Sequence, residues 1–229
     1  ARTHPTSSKH AALLGATGGP CRFCRTELTI TFVDLGMSPL CESFLERAQL
    51  DRAETFLPLH AWVCQECHLV QLQEYVSPEE IFREYAYFSS YSTAWLKHAS
   101  DYVDMIVARL RLDEQSFVVE LASNDGYLLA NFVKRGIPCL GIEPAINVAK
   151  VAEEKGVPCL TEFFGVELAE ELASKGKRAS LLLGNNVLAQ VPDLNSFVGG
   201  MKILLAPGGT ITLEFPHLAR LMEGNQFDT

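Results

Sequence analysis

The sequence contains no apolar run near the roughly 20 residues that a membrane-spanning helix needs, so no membrane partner is expected. It also has no surplus of basic charge: 19 Lys and Arg stand against 28 Asp and Glu, a formal net charge of −9. Nucleic-acid binding depends on clustered Lys and Arg that neutralise phosphates, and no such cluster occurs, which points to a small-molecule partner. An even, paired cysteine framework of the secreted kind is missing too. Of seven cysteines, Cys41, Cys139 and Cys159 stand alone, a pattern that fits a reducing compartment and a cytoplasmic location. What remains is 229 residues, 48% hydrophobic and 21% charged, enough for one large domain or two modest ones with a real core. Acidic residues are absent from positions 1–20, which read as a flexible leader ending at Gly18-Gly19-Pro20. A transit peptide is the alternative for that stretch.

The other four cysteines are spaced Cys21-x2-Cys24-x39-Cys64-x2-Cys67. Each Cys-x-x-Cys brings two thiolates within reach of one ion, and two such pairs supply the four sulfurs of a closed tetrahedral zinc site. A full sulfur shell has no open position, so the zinc would be structural. Residues 21–76, with short strands over Ile30–Val33, Leu57–Val63 and Leu69–Gln73, form the expected zinc-binding domain. His68 reads as a surface or packing residue and Cys41 lacks a nearby partner.

Residues 77–112 follow as an aromatic connector (Phe82, Tyr85, Tyr87, Phe88, Tyr91) and one long helix from Ser92, whose apolar residues fall on a single stripe. From residue 113 to 229 short apolar strands alternate with amphipathic helices. The strands are Phe117–Leu121, Cys139–Ile142, Val157–Leu160, Ser180–Gly184 and Thr210–Phe215. The helices lie near Tyr127–Lys134, Ala145–Glu154, Val166–Ser174 and Leu194–Leu205. Twice a Gly-x-Pro-Cys-Leu segment, at Gly136 and Gly156, ends a helix and opens a strand. Strands that are apolar throughout, each followed by a helix, require a parallel sheet covered on both faces. The fold class is α/β: a small ribbon-like zinc domain followed by a doubly wound Rossmann-like domain.

Ligands of such sheets bind at the carboxyl ends of the strands. The first strand ends in Glu120 and runs into the small-residue turn Ala122-Ser-Asn124-Asp125-Gly126 before Tyr127 and Leu128. The second ends in Glu143-Pro144, where an acid can accept both hydroxyls of a ribose. A dinucleotide fold wants Gly-x-Gly-x-x-Gly, and only Gly126 is present, with Ala122 where a glycine is expected. An acid without pyrophosphate glycines suits S-adenosylmethionine better, because its amino-acid end is zwitterionic. The third strand end carries Glu162, Phe163 and Phe164 toward an adenine, and the fourth carries Asn185 and Asn186.

Taken in order, the cysteine pairs, Tyr85-x-Tyr87-Phe-Ser-Ser-Tyr91-Ser92, Glu120-x-x-Ser-Asn-Asp-Gly-Tyr-Leu-Leu, Gly141-Ile-Glu-Pro and Asn185-Asn-Val-x-Ala resemble the zinc-containing sugar C-methyltransferases. Those enzymes modify nucleotide-linked deoxysugars in antibiotic pathways. The resemblance implies that Cys21, Cys24, Cys64 and Cys67 bind zinc and that Glu120, Asn124, Gly126 and Glu143 frame S-adenosylmethionine. It implies also that Tyr85, Tyr87, Tyr91 and Ser92, with Asn186 and Gln190, face a nucleotide-linked 4-keto sugar. A base would remove a proton beside the ketone, donors would stabilise the enolate, and the carbanion would attack the sulfonium methyl.

Two departures bear on catalysis. Gln190 stands where family members carry His, and Gln cannot carry a proton. The family also continues into a Tyr-His-Glu-His segment, the expected source of the base, beyond Thr229. The chain thus reads as a fragment expected to bind cofactor without turnover, His217 and Gln190 being poor substitutes. Its last strand would leave an apolar edge (Ile211, Leu213, Phe215) open to self-association. A zinc- and nucleoside-binding module without catalysis, and an NAD-dependent oxidoreductase, are the competing readings.

Overall fold

A computed structural model describes residues 17–41 and 43–226. Residues 1–16 of the leader read over 1–20 lie outside these, whereas Gly18 and Gly19 exchange backbone hydrogen bonds with Leu28 and so belong to the folded unit. The chain divides into two compact units, one up to Ser77 and one from Pro78 onward.

The first unit is an antiparallel sheet of β1 (Ile30–Pro39), β2 (Phe56–Val63) and β3 (Val70–Leu72), in that order. The β1–β2 register slips between Thr31 and Val33 and again between Asp34 and Met37. Those bulges let β1 run on past the expected end at Val33, through Gly36, which has φ +82°. The two Cys-x-x-Cys segments have one backbone design. The Arg25 and His68 amides donate to the Cys21 and Cys64 carbonyls, and the cysteine amides donate to Thr26 and Leu69. Each knuckle then closes on a left-handed residue, Arg25 at φ 66° and His68 at φ 61°. His68 therefore serves the turn through its backbone. The buried apolar core of this unit is small: Cys21, Leu28, Trp62 and Cys64, flanked by Cys67 and Leu69.

The second unit opens with a short helix α1 (Pro78–Phe82) and a connector that ends in a 3-10 turn over Ser89–Tyr91, then α2 (Thr93–Leu110). Ser92 caps α2 by accepting from the Trp95 amide, and Arg111 ends it in the left-handed region. Next come β4 (Val118–Leu121), α3 (Leu129–Val133), β5 (Cys139–Ile142), α4 (Ile146–Glu154), β6 (Cys159–Leu160), α5 (Val166–Ser174), β7 (Ala179–Asn185), α6 (Leu194–Leu204), β8 (Leu205–Glu214) and α7 (Leu218–Gly224). The sheet order is β6-β5-β4-β7-β8, with every pairing parallel. The chain thus winds outward one way from β4 and then the other way from β7. The switch point, where a crevice must open, lies between those two strands.

Alternation along β4 and β7 sends side chains to two layers. Val118, Leu181 and Leu183 pack under α2, α3 and α4 with Val103, Phe132 and Ala152. Val119, Leu121 and Leu182 pack under α5 and α6 with Leu172, Phe197 and Met201. Gly136 and Gly156 take φ 69° and 80°, so each ends its helical segment in the left-handed conformation that L side chains avoid. Gly176, with φ 75°, does the same after α5. No helix among the described residues is long and apolar enough to cross a membrane.

Candidate functional sites

In the first unit the Sγ atoms of Cys21, Cys24, Cys64 and Cys67 all lie within 4.8 Å of one another. Cys24 and Cys64 stand 3.4 Å apart, and Cys21 and Cys67 3.6 Å. A tetrahedron with Zn–S bonds of about 2.3 Å has edges of roughly 3.8 Å, so the four sulfurs fit one zinc ion. Hydrogen bonds favour the thiolate at Cys21 and Cys24. Gln71 Nε2 donates to Cys21 Sγ at 3.2 Å, and Thr26 Oγ1 lies 3.3 Å from Cys24 Sγ. Burial raises the Cys21 thiol, but donors from the Cys24 backbone, Gln71 and Phe23 outweigh it and bring the group down to about 6. Such outer partners orient ligands and tune the metal.

In the second unit, the turn after β4 is the unusual piece of backbone. Ala122, Asn124 and Gly126 all have positive φ, 56°, 49° and 72°, at alternate positions. A Gly-x-Gly-x-Gly turn can be made from Ala, Asn and Gly when the rest of the fold supplies the cost of left-handed residues. Asn tolerates that region best of the non-glycines. At Gly126 a Cβ would also meet Val157 at 3.0 Å and Ala152 at 3.1 Å, so this position needs glycine twice over. The same turn shifts the following helix: α3 starts at Leu129, two residues later than expected.

Glu143 ties two turns together. Its Oε2 accepts from the Asn124 amide and its Oε1 from the Ala145 amide, both at 2.9 Å. Each oxygen keeps a further lone pair, and the side chain lines the crevice. Burial raises its carboxyl, and the two amides offset part of that rise. Glu120 is 0% exposed, and neither carboxylate oxygen has a hydrogen-bond partner among the described residues. Burial, then Glu143, then Asp125 push its carboxyl well above the ordinary carboxylate range. A buried acid without a donor is costly, so this position calls for either a proton or a cationic ligand.

The crevice has a volume of about 370 Å³, within the usual range for small-molecule sites. Of the residues expected there, Ala122, Asn124 and Tyr127 line it from the first turn, and Glu143 and Pro144 from the second. Glu162, Phe163 and Phe164 line it after β6, Asn186 and Gln190 after β7, and Tyr85 and Tyr87 from the connector. The others lie off its wall. Glu120, Leu128 and Gly126 are buried beneath the turn, and the Asp125 carboxylate is engaged by Lys155 at 2.9 Å and by the Ser90 hydroxyl. Asn185 donates instead to the Tyr127 hydroxyl at 3.2 Å. Ser92 is spent on its cap, Tyr91 is 83% exposed, and His217 is an exposed residue before α7. Gln190 donates to the Asn186 carbonyl at 2.9 Å.

The sequence reading missed Trp95, Phe82, Ser196 and Phe197, all of which line the crevice. Trp95 packs against Tyr127 with ring centroids 6.1 Å apart. Burial first, and the Glu120 charge second, raise the Tyr127 hydroxyl, which stays a donor across the ordinary pH range.

Fold and sites together define a chain with four clustered thiols followed by a doubly wound parallel sheet with a crevice at its switch point. Residues 21–82 match the family model Methyltransf_13, described as a zinc binding domain. The chain is 34% identical over 209 residues to the C-methyltransferase NovU of Streptomyces niveus, covering 91% of this chain and 50% of that protein. It thus spans half the length of this relative. Among solved structures it is similar to the PH0226 protein of Pyrococcus horikoshii (16% identity, 61% of this chain and 62% of that one, TM-score 0.48). It is also similar to Streptomyces venezuelae DesVI (18% identity, 52% and 49%, TM-score 0.41). The chain is thus similar to a zinc binding domain over residues 21–82 and to a C-methyltransferase over 91% of its own length.

Proposed function

We propose that the protein to which this chain belongs is an S-adenosylmethionine-dependent C-methyltransferase of a nucleotide-linked 4-keto deoxysugar. The observation that carries this reading is the pair of acids at the first two strand ends. Glu143 faces the crevice with free lone pairs, and Glu120 lies buried without a partner behind the left-handed turn. That pattern fits a ligand with vicinal hydroxyls at one end and a cationic amino group at the other. The relative's designation as a C-methyltransferase supports the same class.

Glu143 would accept the ribose hydroxyls, while Glu120 would counter the charge of the methionine ammonium. Phe163 and Phe164 would border the adenine. Bound there, S-adenosylmethionine supplies an electrophilic methyl on a sulfonium. On the acceptor side, Tyr85 and Tyr87 are donors that can hold the oxygen of an enolate, and Trp95 and Phe82 exclude water. Holding the acceptor carbon in line is the main contribution of this wall. The described crevice lining contains no histidine. Glu143 is engaged by two amides, Gln190 cannot carry a proton, and Glu79, Glu162 and Asp193 are the other carboxylates of the lining; on the family resemblance we assign the acceptor of the α-proton to a segment of the full-length protein outside the described residues. The reading places the protein in the cytoplasm, where nucleotide sugars are made.

The test is incubation of the full-length protein with S-adenosylmethionine and a nucleoside-diphosphate 4-keto-6-deoxyhexose. The expected product is heavier by one CH₂ on a ring carbon. Formation of an O-methyl product, or of none with a panel of such sugars, would contradict the reading.

A further inference from the structure

The connector between α1 and α2 bends at residues 83–84 and runs without regular structure to Phe88, and Tyr85, Tyr87 and Ser89 line the crevice. A connector without regular structure leaves its backbone amides and carbonyls to water unless other groups take them up. Here they are taken up by side chains from the two turns that flank the nucleoside end of the crevice. Asn147, in the first turn of α4, accepts from the Tyr85 amide at 3.1 Å and donates to the Tyr85 carbonyl at 2.8 Å. Asn124 donates to the Tyr87 carbonyl at 3.1 Å and accepts from the Ser89 amide at 2.8 Å. Each carboxamide thus presents one donor and one acceptor, as a neighbouring β-strand would. The Ile146 amide adds a bond to the Arg83 carbonyl at 3.1 Å. At the far end Lys155, just past α4, reaches both Ser90 Oγ (3.2 Å) and Asp125 Oδ2 (2.9 Å).

We infer that Asn124 and Asn147 are positioning residues that set the acceptor-side wall, Tyr85 and Tyr87, in register with the cofactor-side turns. This rests on the methyltransferase reading for what the wall contacts. Glu143 accepts from the Asn124 amide and lies four residues before Asn147, so one acid stands between the two clamps. Neither asparagine need touch the acceptor to govern its alignment, because a displaced tyrosine pair would misplace the acceptor carbon.

Asn147 is exposed, so its replacement does not open the core. In this chain, Asn147→Ala should raise hydrogen exchange at the Tyr85 amide by about tenfold while leaving S-adenosylhomocysteine affinity within about twofold. In the full-length enzyme it should raise KM for the deoxysugar nucleotide by about tenfold with KM for S-adenosylmethionine unchanged. Asn147→Asp, which keeps the acceptor for the Tyr85 amide, should recover part of both effects. Unchanged exchange at Tyr85, or equal rises in the two KM values, would overturn the assignment. Failure of the wild-type chain to bind S-adenosylhomocysteine would instead overturn the functional reading, and the exchange result would still judge the clamp.

Discussion

Among the described residues up to Ser77, Cys21, Leu28, Trp62 and Cys64 form the buried apolar core, and Phe23, Phe44, Leu50 and Phe56 are exposed. Beyond Pro78 it buries two full layers on either face of a five-stranded sheet, with Val118, Val119, Leu121, Leu181 and Leu182 all 0% exposed. Two of the four core residues of the first unit are themselves thiol ligands. A unit with so little apolar burial gains its folding energy from the ion, whereas the sheet gains it from transfer of side chains out of water. The metal and the crevice therefore answer to different perturbations, although one chain carries both.

The largest expected effect breaks the first unit alone. Cys64→Ser removes one of four thiolates from a site whose zinc contributes on the order of 10–16 kcal/mol in small zinc domains. Amide exchange from β1 to β3 should collapse to that of an unfolded segment, with the protection of β4, β5 and β7 retained. Metal analysis should read one zinc per wild-type chain and a large loss in the variant. Simultaneous loss of protection in both units would break the comparison.

A smaller effect sharpens it from the other side. The Glu120 carboxyl is raised in the folded state, so its contribution to stability is fully present below the unfolded value of about 4.3 and is lost as pH rises toward the folded value. Ionisation is favoured in the unfolded chain, and the sheet unit should weaken from pH 5 to pH 8. In Glu120→Gln that decline should flatten, leaving the ligand-free sheet unit more stable at pH 8 by on the order of 1–3 kcal/mol. Denaturant midpoints of the second transition at the two pH values check this. A steeper decline in the variant would contradict the assignment of Glu120 as a buried, unpartnered acid.

What could be read from the sequence differed between the units for physical reasons. Cysteine spacing is a local signal, and Cys21, Cys24, Cys64 and Cys67 do converge. Strands buried on both faces leave continuous apolar runs, so β4, β5 and β7 were visible. Val157 was expected to open β6 but packs beneath Gly126, leaving the ladder at Cys159–Leu160. β8 begins at Leu205, ahead of the expected Thr210, because Pro207-Gly208-Gly209 looks like a turn but is carried in the strand past a register shift. Of α7 the sequence shows only a helix start beside His217. The left-handed conformations of Ala122 and Asn124 were hidden because neither residue type announces them, and the absence of glycines made the turn look less special than it is. The asparagine clamps span 35 to 62 residues of sequence, beyond the reach of any local pattern.

The most direct test of the central claim is calorimetric titration of this chain with S-adenosylmethionine, S-adenosylhomocysteine and NAD, in the wild type and in Glu143→Ala. Replacing Glu143 removes a charged acceptor of buried hydroxyls, so binding of both adenosyl ligands should weaken by about 2–3 kcal/mol, roughly 30- to 150-fold. One adenosyl ligand should bind per wild-type chain and NAD should not compete. An unchanged dissociation constant in Glu143→Ala, or NAD binding as tightly as S-adenosylhomocysteine, would contradict it.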